Sequence, residues 1–517
     1  MFSPVERRAL RILLIVTLIS RLALALRPEW QIVTRPYSED SFYIFTVAGH
    51  IAHGDGITAD GVHTTNGIQP LIAFVYVPFF LIAGANKLLA LRLCFIVVAL
   101  CDTLSVLFLA KLLKQLARSK TDDEKIVWFH PPIAAAALWA LLYPIITHTA
   151  NGLETGLYSM LIIASMYVYA TLRNANNKNL LHWAGFGALL GLTVLARIDA
   201  VFLVIVFALI EIIRSKGKEV VRASILSLTA LIVSSPWWIY NYIIFHGLMP
   251  QSGTSESLAS VLVENLARGS IVIGDILSVF FILPNYELPV WFHFAWMALL
   301  VAIVVIVAKK IGATTYLRTG FDVLALSPLL LFSTVLIIFY VFFFSAPHFL
   351  PRYFQPPRIL WIVIFSAALP LLVSRFRQWQ GKRRRLLRAL LWVGAVCVIG
   401  FGLDRYIYYF TISTPSEFYT FAKWANERPH DRIGMDQSGT AGFFAPNVVN
   451  LDGKVNVDAL NAKKAGDIGA YVVTRNLDYI ADWREFSSVI AASASRHGAK
   501  FEIVDSVGRV IIYKKTQ

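Results

Sequence analysis

From the N-terminus to about Leu403 the chain alternates long apolar runs with short, mostly basic connections, and it does so more often than a soluble core needs. A membrane span takes about 20 apolar residues, and such runs recur here. Arg7, Arg8 and Arg11 flank the first run, which predicts a cytoplasmic N-terminus. Arg21 interrupts this run and no small-residue cleavage site follows, so it reads as an uncleaved first span rather than a signal peptide. A polar stretch, Arg27–Gln69, comes next, followed by a short apolar run, Pro70–Ala83, and a long one, Leu88–Leu113. If the short run crossed, the basic loop Lys114–Lys125 would face outward and every later loop would invert. If it is instead re-entrant or interfacial, the loops Lys114–Lys125, Arg173–Asn179, Arg214–Arg222, Lys309–Arg318 and Arg375–Arg388 all fall on the cytoplasmic side. The excess of Lys and Arg in short cytoplasmic loops selects the second threading, with about eleven crossings, in a polytopic α-helical membrane protein of about 11–12 helices.

The pattern changes at about Asp404. Short β-rich runs at Val448–Leu451, Ala470–Thr474 and Val510–Tyr513 alternate with helical patterns at Pro415–Glu427 and Asp478–His497. That alternation predicts a small α/β domain. The chain therefore divides into a membrane module, 1–403, and a tail, 404–517. An odd number of crossings puts the tail outside, together with Arg27–Gln69, Asn151–Thr155, His246–Leu288 and the hairpin Arg197-Ile198-Asp199.

Composition sharpens this picture. The chain is 57% hydrophobic and 15% charged, departures from soluble averages that both point to lipid. Its formal charge of +15 lies largely in the connections between apolar runs, which indicates membrane orientation and not a nucleic-acid partner. Cys94, Cys101 and Cys397 each sit inside an apolar run, without metal-ligand spacing, and read as small core residues.

Candidate chemistry collects at span ends on the predicted outer side. Ser38 can cap a helix whose first turn holds Glu39 and Asp40, with Phe42, Phe45 and Gly49 on one face, as in a helix lying flat on a membrane surface. The two acids fit either a helix dipole or a general base or metal ligand at the mouth of a cavity. Glu154 in Asn151-Gly-Leu-Glu-Thr-Gly156 fits an interface marker or a cavity residue. Arg197 and Asp199 fit a local ion pair as well as a site. Arg352 in His348-Phe-Leu-Pro-Arg-Tyr353 can snorkel to the interface or bind a phosphate with its guanidinium fork. His63 and His348 are lone histidines. No matching pair of Gly/Pro-broken spans appears in two halves, which argues against transport.

The stretch Glu39-Asp40-Ser-Phe-Tyr43…Gly54-Asp-Gly-Ile57…Asp60-Gly-Val-His63-Thr-Thr-Asn66-Gly-Ile-Gln-Pro70 resembles the first external loop of the C-type (GT-C) glycosyltransferases, membrane enzymes that use polyprenyl-phosphate sugars. It looks nearest to the bacterial branch of mannosyl-, aminoarabinosyl- and arabinofuranosyl-transferases. Asn151–Gly156 is similar to a Gly-(Leu/Met)-Glu-Thr signature of that branch. Pro236-Trp-Trp-Ile-Tyr-Asn241…Pro250-Gln-Ser252 resembles its later outer loop. Met435-Asp436…Gly442-Phe-Phe444…Val449–Asn456 resembles an external domain of some members.

The resemblance implies a periplasmic or extracellular active site on an integral plasma (inner) membrane enzyme. There, a sugar passes with inversion from a polyprenyl-phosphate donor to an envelope glycan, lipid or protein. It makes Asp40 the base, with Glu39 beside it; many relatives carry Asp-Asp here, so the choice between the two carboxylates stays open. It makes Glu154, with Asp199, His348 and Tyr353, candidate cavity residues for donor or acceptor. Arg352 and Arg197 would neutralise the leaving phosphate, and His63 and Asn66 would contact the donor. No cofactor is firmly implied; a divalent cation held by Asp40 is left open. The alternative is a transporter or flippase of lipid-linked glycans, which would place its charges at mid-span.

Overall fold

The computed structural model describes residues 2–117, 127–176, 178–217, 219–256, 262–278, 288–313, 317, 320–344, 347–377 and 381–516. Among these, eight helical stretches are long and apolar enough to cross a membrane: Pro4–Leu26, Lys87–Leu116, Thr155–Asn174, Val220–Phe245, Val290–Lys310, Leu324–Phe343, Gln355–Ser374 and Trp392–Thr411. A ninth is bent by 59° between Pro131–Leu141 and Tyr143–Thr149. Leu180–Ala196 and Val201–Arg214 are shorter. Together these elements make an integral membrane protein with eight candidate spans among the described residues, or nine with the bent pair, where the sequence pattern predicts about eleven crossings.

The basic connections meet at one end of the bundle. Lys114 pairs with Glu6 at 3.1 Å, Arg173 with Glu211 at 3.4 Å, and Asn174 donates to the Gln115 carbonyl. Arg214 donates to Ser327 Oγ, and the Asp322 N–H to the Leu116 carbonyl. Ala313 packs on Leu371, which brings the C-terminal ends of the Val290–Ile311 and Gln355–Arg377 helices together. Within Lys114–Lys125, residues 118–125 lie outside the described residues.

The other end holds the first loop and the tail. Arg27 donates to the carbonyls of Arg35 and Tyr409, and Gln31 to that of Ile412. Pro70–Ala83 starts and finishes at this end. Gly67 before it packs against the Lys454 carbonyl, and Lys87 after it donates to the Phe443 carbonyl. The short run therefore has contacts to the tail at both of its ends.

We label the elements that matter below α1 (Pro4–Ala23), α2 (Glu39–His53), α3 (Pro70–Ala83), α4 (Lys87–Leu116) and, in the tail, α5 (Gly439–Phe444). The tail strands are β1 (Ile433–Met435), β2 (Val448–Asn450), β3 (Tyr479–Trp483), β4 (Phe501–Val507) and β5 (Val510–Lys515). They form one sheet in the order β2-β1-β3-β5-β4. β1 runs parallel to β2 and β3, and β5 antiparallel to β3 and β4.

Three sequence expectations change. The run Ala470–Thr474 is helical, not a strand: Asp467 caps it through the Ala470 N–H, and Gly469 packs against the Ser493 backbone, so tertiary fit overrides the β-branched preference. Asp478–His497 opens with β3 before its helix, Arg484–Ser495. Finally, α2 does not lie on lipid. Phe42 and Phe45 are fully buried against Tyr76 of α3 and against Phe443 and Phe444 of α5. Ser38 precedes α2 as expected, but its hydroxyl caps nothing and contacts the Asn151 carbonyl.

Inside the bundle Arg21 of α1 meets Asp102 of α4 at 2.7 Å, both buried. Arg21 also donates to Tyr406 Oη and the Ala140 carbonyl, and Thr149 donates to Asp102. One charge pair thus ties the first span to both parts of the bent span and to the last helix. Removing one partner of such a pair strands the other in a low-dielectric interior. Asp102→Ala should therefore cost about 3–5 kcal/mol. Thermal unfolding in detergent checks it; an unchanged midpoint would show that the pair is not what holds these helices.

Candidate active site

On the tail side the helices open into a cavity of about 380 Å³. Phe202, Trp238, Met249, Phe339, Phe344 and Phe349 give it apolar walls, and Asp40, Glu154, Arg197, Asp199, Arg352 and Lys454 give it a charged end.

Two charge groups make up that end. In the first, Arg197 is held from three sides. It pairs with Asp199 at 2.9 Å and Glu154 at 3.1 Å, and donates to Tyr340 Oη at 2.9 Å. Tyr158 and Tyr340 donate to Asp199, and the guanidinium lies 4.1 Å from the centre of the Tyr353 ring. Arg197 sits here because the Leu180–Ala196 helix ends on it in extended conformation before the tight turn Ile198–Ala200. These contacts hold the Arg197 guanidinium in the cavity wall.

The second group centres on Asp40, in the first turn of α2. Its carboxylate lies 3.2 Å from Lys454 Nζ and 3.7 Å from Arg352 Nη2. Burial would raise its pKa, but these two cations outweigh burial and hold it below the usual carboxylate range. Arg352 stacks 4.6 Å from the centre of the Phe349 ring, and its buried Nε finds no hydrogen-bond partner among the described residues.

Glu39 turns the other way. It accepts from the Thr440 N–H at 2.8 Å and from the Thr440 hydroxyl, at the start of α5. Burial, reinforced by Asp40 and Asp482, pushes its pKa up to about 8. The adjacent acids thus sit in opposite environments: two cations favour the ionised form of Asp40, which faces the cavity, while burial favours the protonated form of Glu39, which fastens the tail. Next to them Tyr43 Oη donates to Asp452 at 3.0 Å.

Of the residues singled out from sequence, Asp40, Glu154, Arg197, Asp199, Arg352 and Tyr353 converge on the cavity. His63, Asn66 and His348 stay off its lining. His63 pairs with Asp60 at 2.7 Å, Asn66 accepts the Gln251 N–H, and His348 is 71% exposed on its side chain, near Glu264. The donor set does not suit a divalent cation, because Asp40 is flanked by two cations and Glu39 is engaged elsewhere. Among the described residues no three His, Cys, Asp or Glu side chains come together as ligands. Lys454 and Tyr340 were missed; the only trace of Lys454 in the sequence is an Asp-Gly-Lys turn after a strand.

This arrangement, a bundle with an enclosed first loop, a cavity at one end and an α/β tail over it, is the fold of the C-type (GT-C) membrane glycosyltransferases. ArnT from Cupriavidus metallidurans, solved with undecaprenyl phosphate, superposes with a TM-score of 0.59 at 12% identity, over 98% of this chain and 97% of that one. The oligosaccharyltransferase AglB from Archaeoglobus fulgidus, solved with an inhibitory peptide and a dolichol-phosphate, gives 0.54 at 10% identity, over 100% of this chain and 75% of that one. The arabinofuranosyltransferase AftD from Mycobacteria gives 0.50 at 13% identity; this chain is covered over 98% but spans only 40% of AftD. No family model matches the sequence, and no curated protein matches it. At these identities the likeness is one of fold.

The seam between α2 and the tail buries three acids with raised pKa values, mainly through desolvation: Glu39 near 8, Asp482 near 7 and Asp452 near 6. A folded-state pKa above the unfolded one gives stability that is complete below the unfolded value and lost as pH rises through the folded value. Tail docking should therefore loosen as pH rises from the unfolded carboxyl value of about 4 to about 8, with Glu39 accounting for the loss at the upper end, and Glu39→Gln, which keeps both Thr440 contacts, should reduce that dependence. Hydrogen exchange at α5 as a function of pH tests this; equal protection at pH 6 and pH 9 would contradict it.

Proposed function

We propose that the protein is a glycosyltransferase that moves a sugar, with inversion, from a polyprenyl-phosphate donor to an envelope glycan, lipid or protein. Residues 1–403 form the catalytic module. Residues 404–517 form a domain on the outer face of the plasma (inner) membrane, and the cavity opens on that face. The observation that carries the reading is Asp40 beside Arg352, whose buried Nε lacks a hydrogen-bond partner among the described residues, at the charged end of an apolar-walled cavity. A lipid carrier needs such walls for its tail, and its phosphate needs such a guanidinium. The undecaprenyl phosphate and dolichol-phosphate found in the structures of like fold agree with that chemistry.

In this reading Asp40 takes the proton of the acceptor hydroxyl as its oxygen attacks the anomeric carbon. The bond from that carbon to the phosphate oxygen breaks, and its electron pair leaves with the phosphate. Arg352 balances the charge that develops there. Glu154 and Asp199 act through Arg197, which they hold against the wall. The transporter alternative wants the charges of its pathway at mid-span; here the charges that line the cavity gather at one end of the bundle, and the buried Arg21–Asp102 pair is closed off by Tyr406, Ala140 and Thr149.

Purified protein supplied with radiolabelled polyprenyl-phosphate sugars should release polyprenyl phosphate, and Asp40→Asn should lower turnover about 100-fold or more while the protein still folds. Near-normal turnover of the variant would remove Asp40 from the base role. Movement of lipid-linked glycan across proteoliposomes without donor consumption would favour the transporter.

A further inference from the structure

Lys454 belongs to the tail, yet its ammonium reaches the carboxylate that the membrane module presents. The turn that carries it is pinned in place. Asp452 accepts the Lys454 N–H at 2.7 Å through its side chain, and its carbonyl accepts Ser255 Oγ at 2.7 Å. Gly67 of the first loop packs so close that a Cβ there would lie 1.6 Å from the Lys454 carbonyl oxygen. The backbone is therefore fixed, while the ammonium sits over the Phe349 ring at the cavity lining, 3.2 Å from Asp40 and 3.8 Å from Asp452.

In this state Asp40 is a poor base, because a lysine and an arginine stabilise its charge and Lys454 occupies one of its oxygens. An anionic phosphate entering the cavity would draw on the same two cations. We propose that Lys454 passes from Asp40 to the phosphate of the incoming donor, so that donor binding itself frees Asp40 to accept the acceptor's proton.

The proposal rests on the glycosyl-transfer reading above and adds an order to it: donor first, proton transfer second. The proton of the acceptor hydroxyl goes to Asp40, and the hydroxyl oxygen's pair forms the new bond to the anomeric carbon. The carbon–oxygen bond to phosphate breaks toward phosphate. Lys454 and Arg352 then face the anion that results. With Lys454 gone and an anion nearby, Asp40 binds a proton more readily than in the empty site. A lysine that only held the tail in place would show none of this.

The test measures binding of undecaprenyl phosphate to the full chain in nanodiscs, together with the pH dependence of turnover, for wild type, Lys454→Met, Lys454→Arg and Asp40→Asn. Lys454→Met should weaken binding about 10- to 100-fold, the loss of one charge-assisted hydrogen bond. It should also move the acid limb of kcat/KM to higher pH while leaving that of kcat in place, because in the donor complex Lys454 has already left Asp40. Lys454→Arg should keep most of the binding. Asp40→Asn should bind the lipid phosphate several-fold more tightly, since the carboxylate charge 3.2 Å from the Lys454 ammonium is removed.

Equal binding by wild type and Asp40→Asn, or an unmoved kcat/KM limb in Lys454→Met, would overturn the exchange. If Lys454→Met fails to fold, the Arg and Asn variants still decide. If binding depends on Lys454 and is opposed by Asp40 but no polyprenyl-phosphate sugar is consumed, the exchange stands and the glycosyl-transfer reading falls.

Discussion

A carboxylate at the buried end of a cavity keeps its charge only where cations stand close, and the two that do so at Asp40 come from opposite parts of the chain. Arg352 follows the Leu324–Phe343 span, and Lys454 follows β2 of the tail. Neither alone sets the site. Their convergence fixes where α2 must begin, because Asp40 lies in its first turn, and it fixes the tail, because Lys454 has little backbone freedom beside Gly67.

The seam that keeps these parts in register combines two kinds of contact. Phe42 and Phe45 meet Phe443 and Phe444 ring on edge or tilted, which gives area without demanding polar partners. Beside them Glu39, Tyr43, Asp452 and Asp482 form a buried polar layer that is stable while its acids hold protons. From adjacent positions one helix therefore presents to the cavity an acid whose ionised form is favoured, and to the tail one whose protonated form is favoured. Position around the helix, rather than residue type, separates the two roles.

Much of this was legible in the sequence, for identifiable reasons. Spans announce themselves because lipid demands about 20 apolar residues in a row. Charge in the connections favours a return of Pro70–Ala83 to its starting side, and in the structure both ends of that run touch the tail, Gly67 before it at Lys454 and Lys87 after it at Phe443. The acids and arginines at span ends could be found because a charge there is costly without a purpose or a partner. What a sequence pattern does not carry is side-chain direction across long separations. His63 and Asn66 lie near Asp40 in sequence yet point to Asp60 and Gln251, whereas Lys454, 414 positions from Asp40, touches it. The helix at Ile468–Thr474 was hidden for a related reason: its cap and its packing on Ser493 outweigh the preference of Tyr471, Val472 and Val473 for a strand.

The tail sheet has one further consequence. In open α/β sheets the crevice beyond the carboxyl ends of parallel strands, where neighbouring strands lead off in opposite directions, is the usual seat of a ligand. Here β1 stands between β2 and β3 in that way, and the place is taken: Tyr43 Oη sits among Asp436, Ser438, Asn450 and Asp452 just past β1 and β2. The domain thus holds a helix of its own chain where a nucleotide or sugar would otherwise rest. With Tyr43 seated there, that crevice is closed by the chain's own first loop and is not open to another molecule.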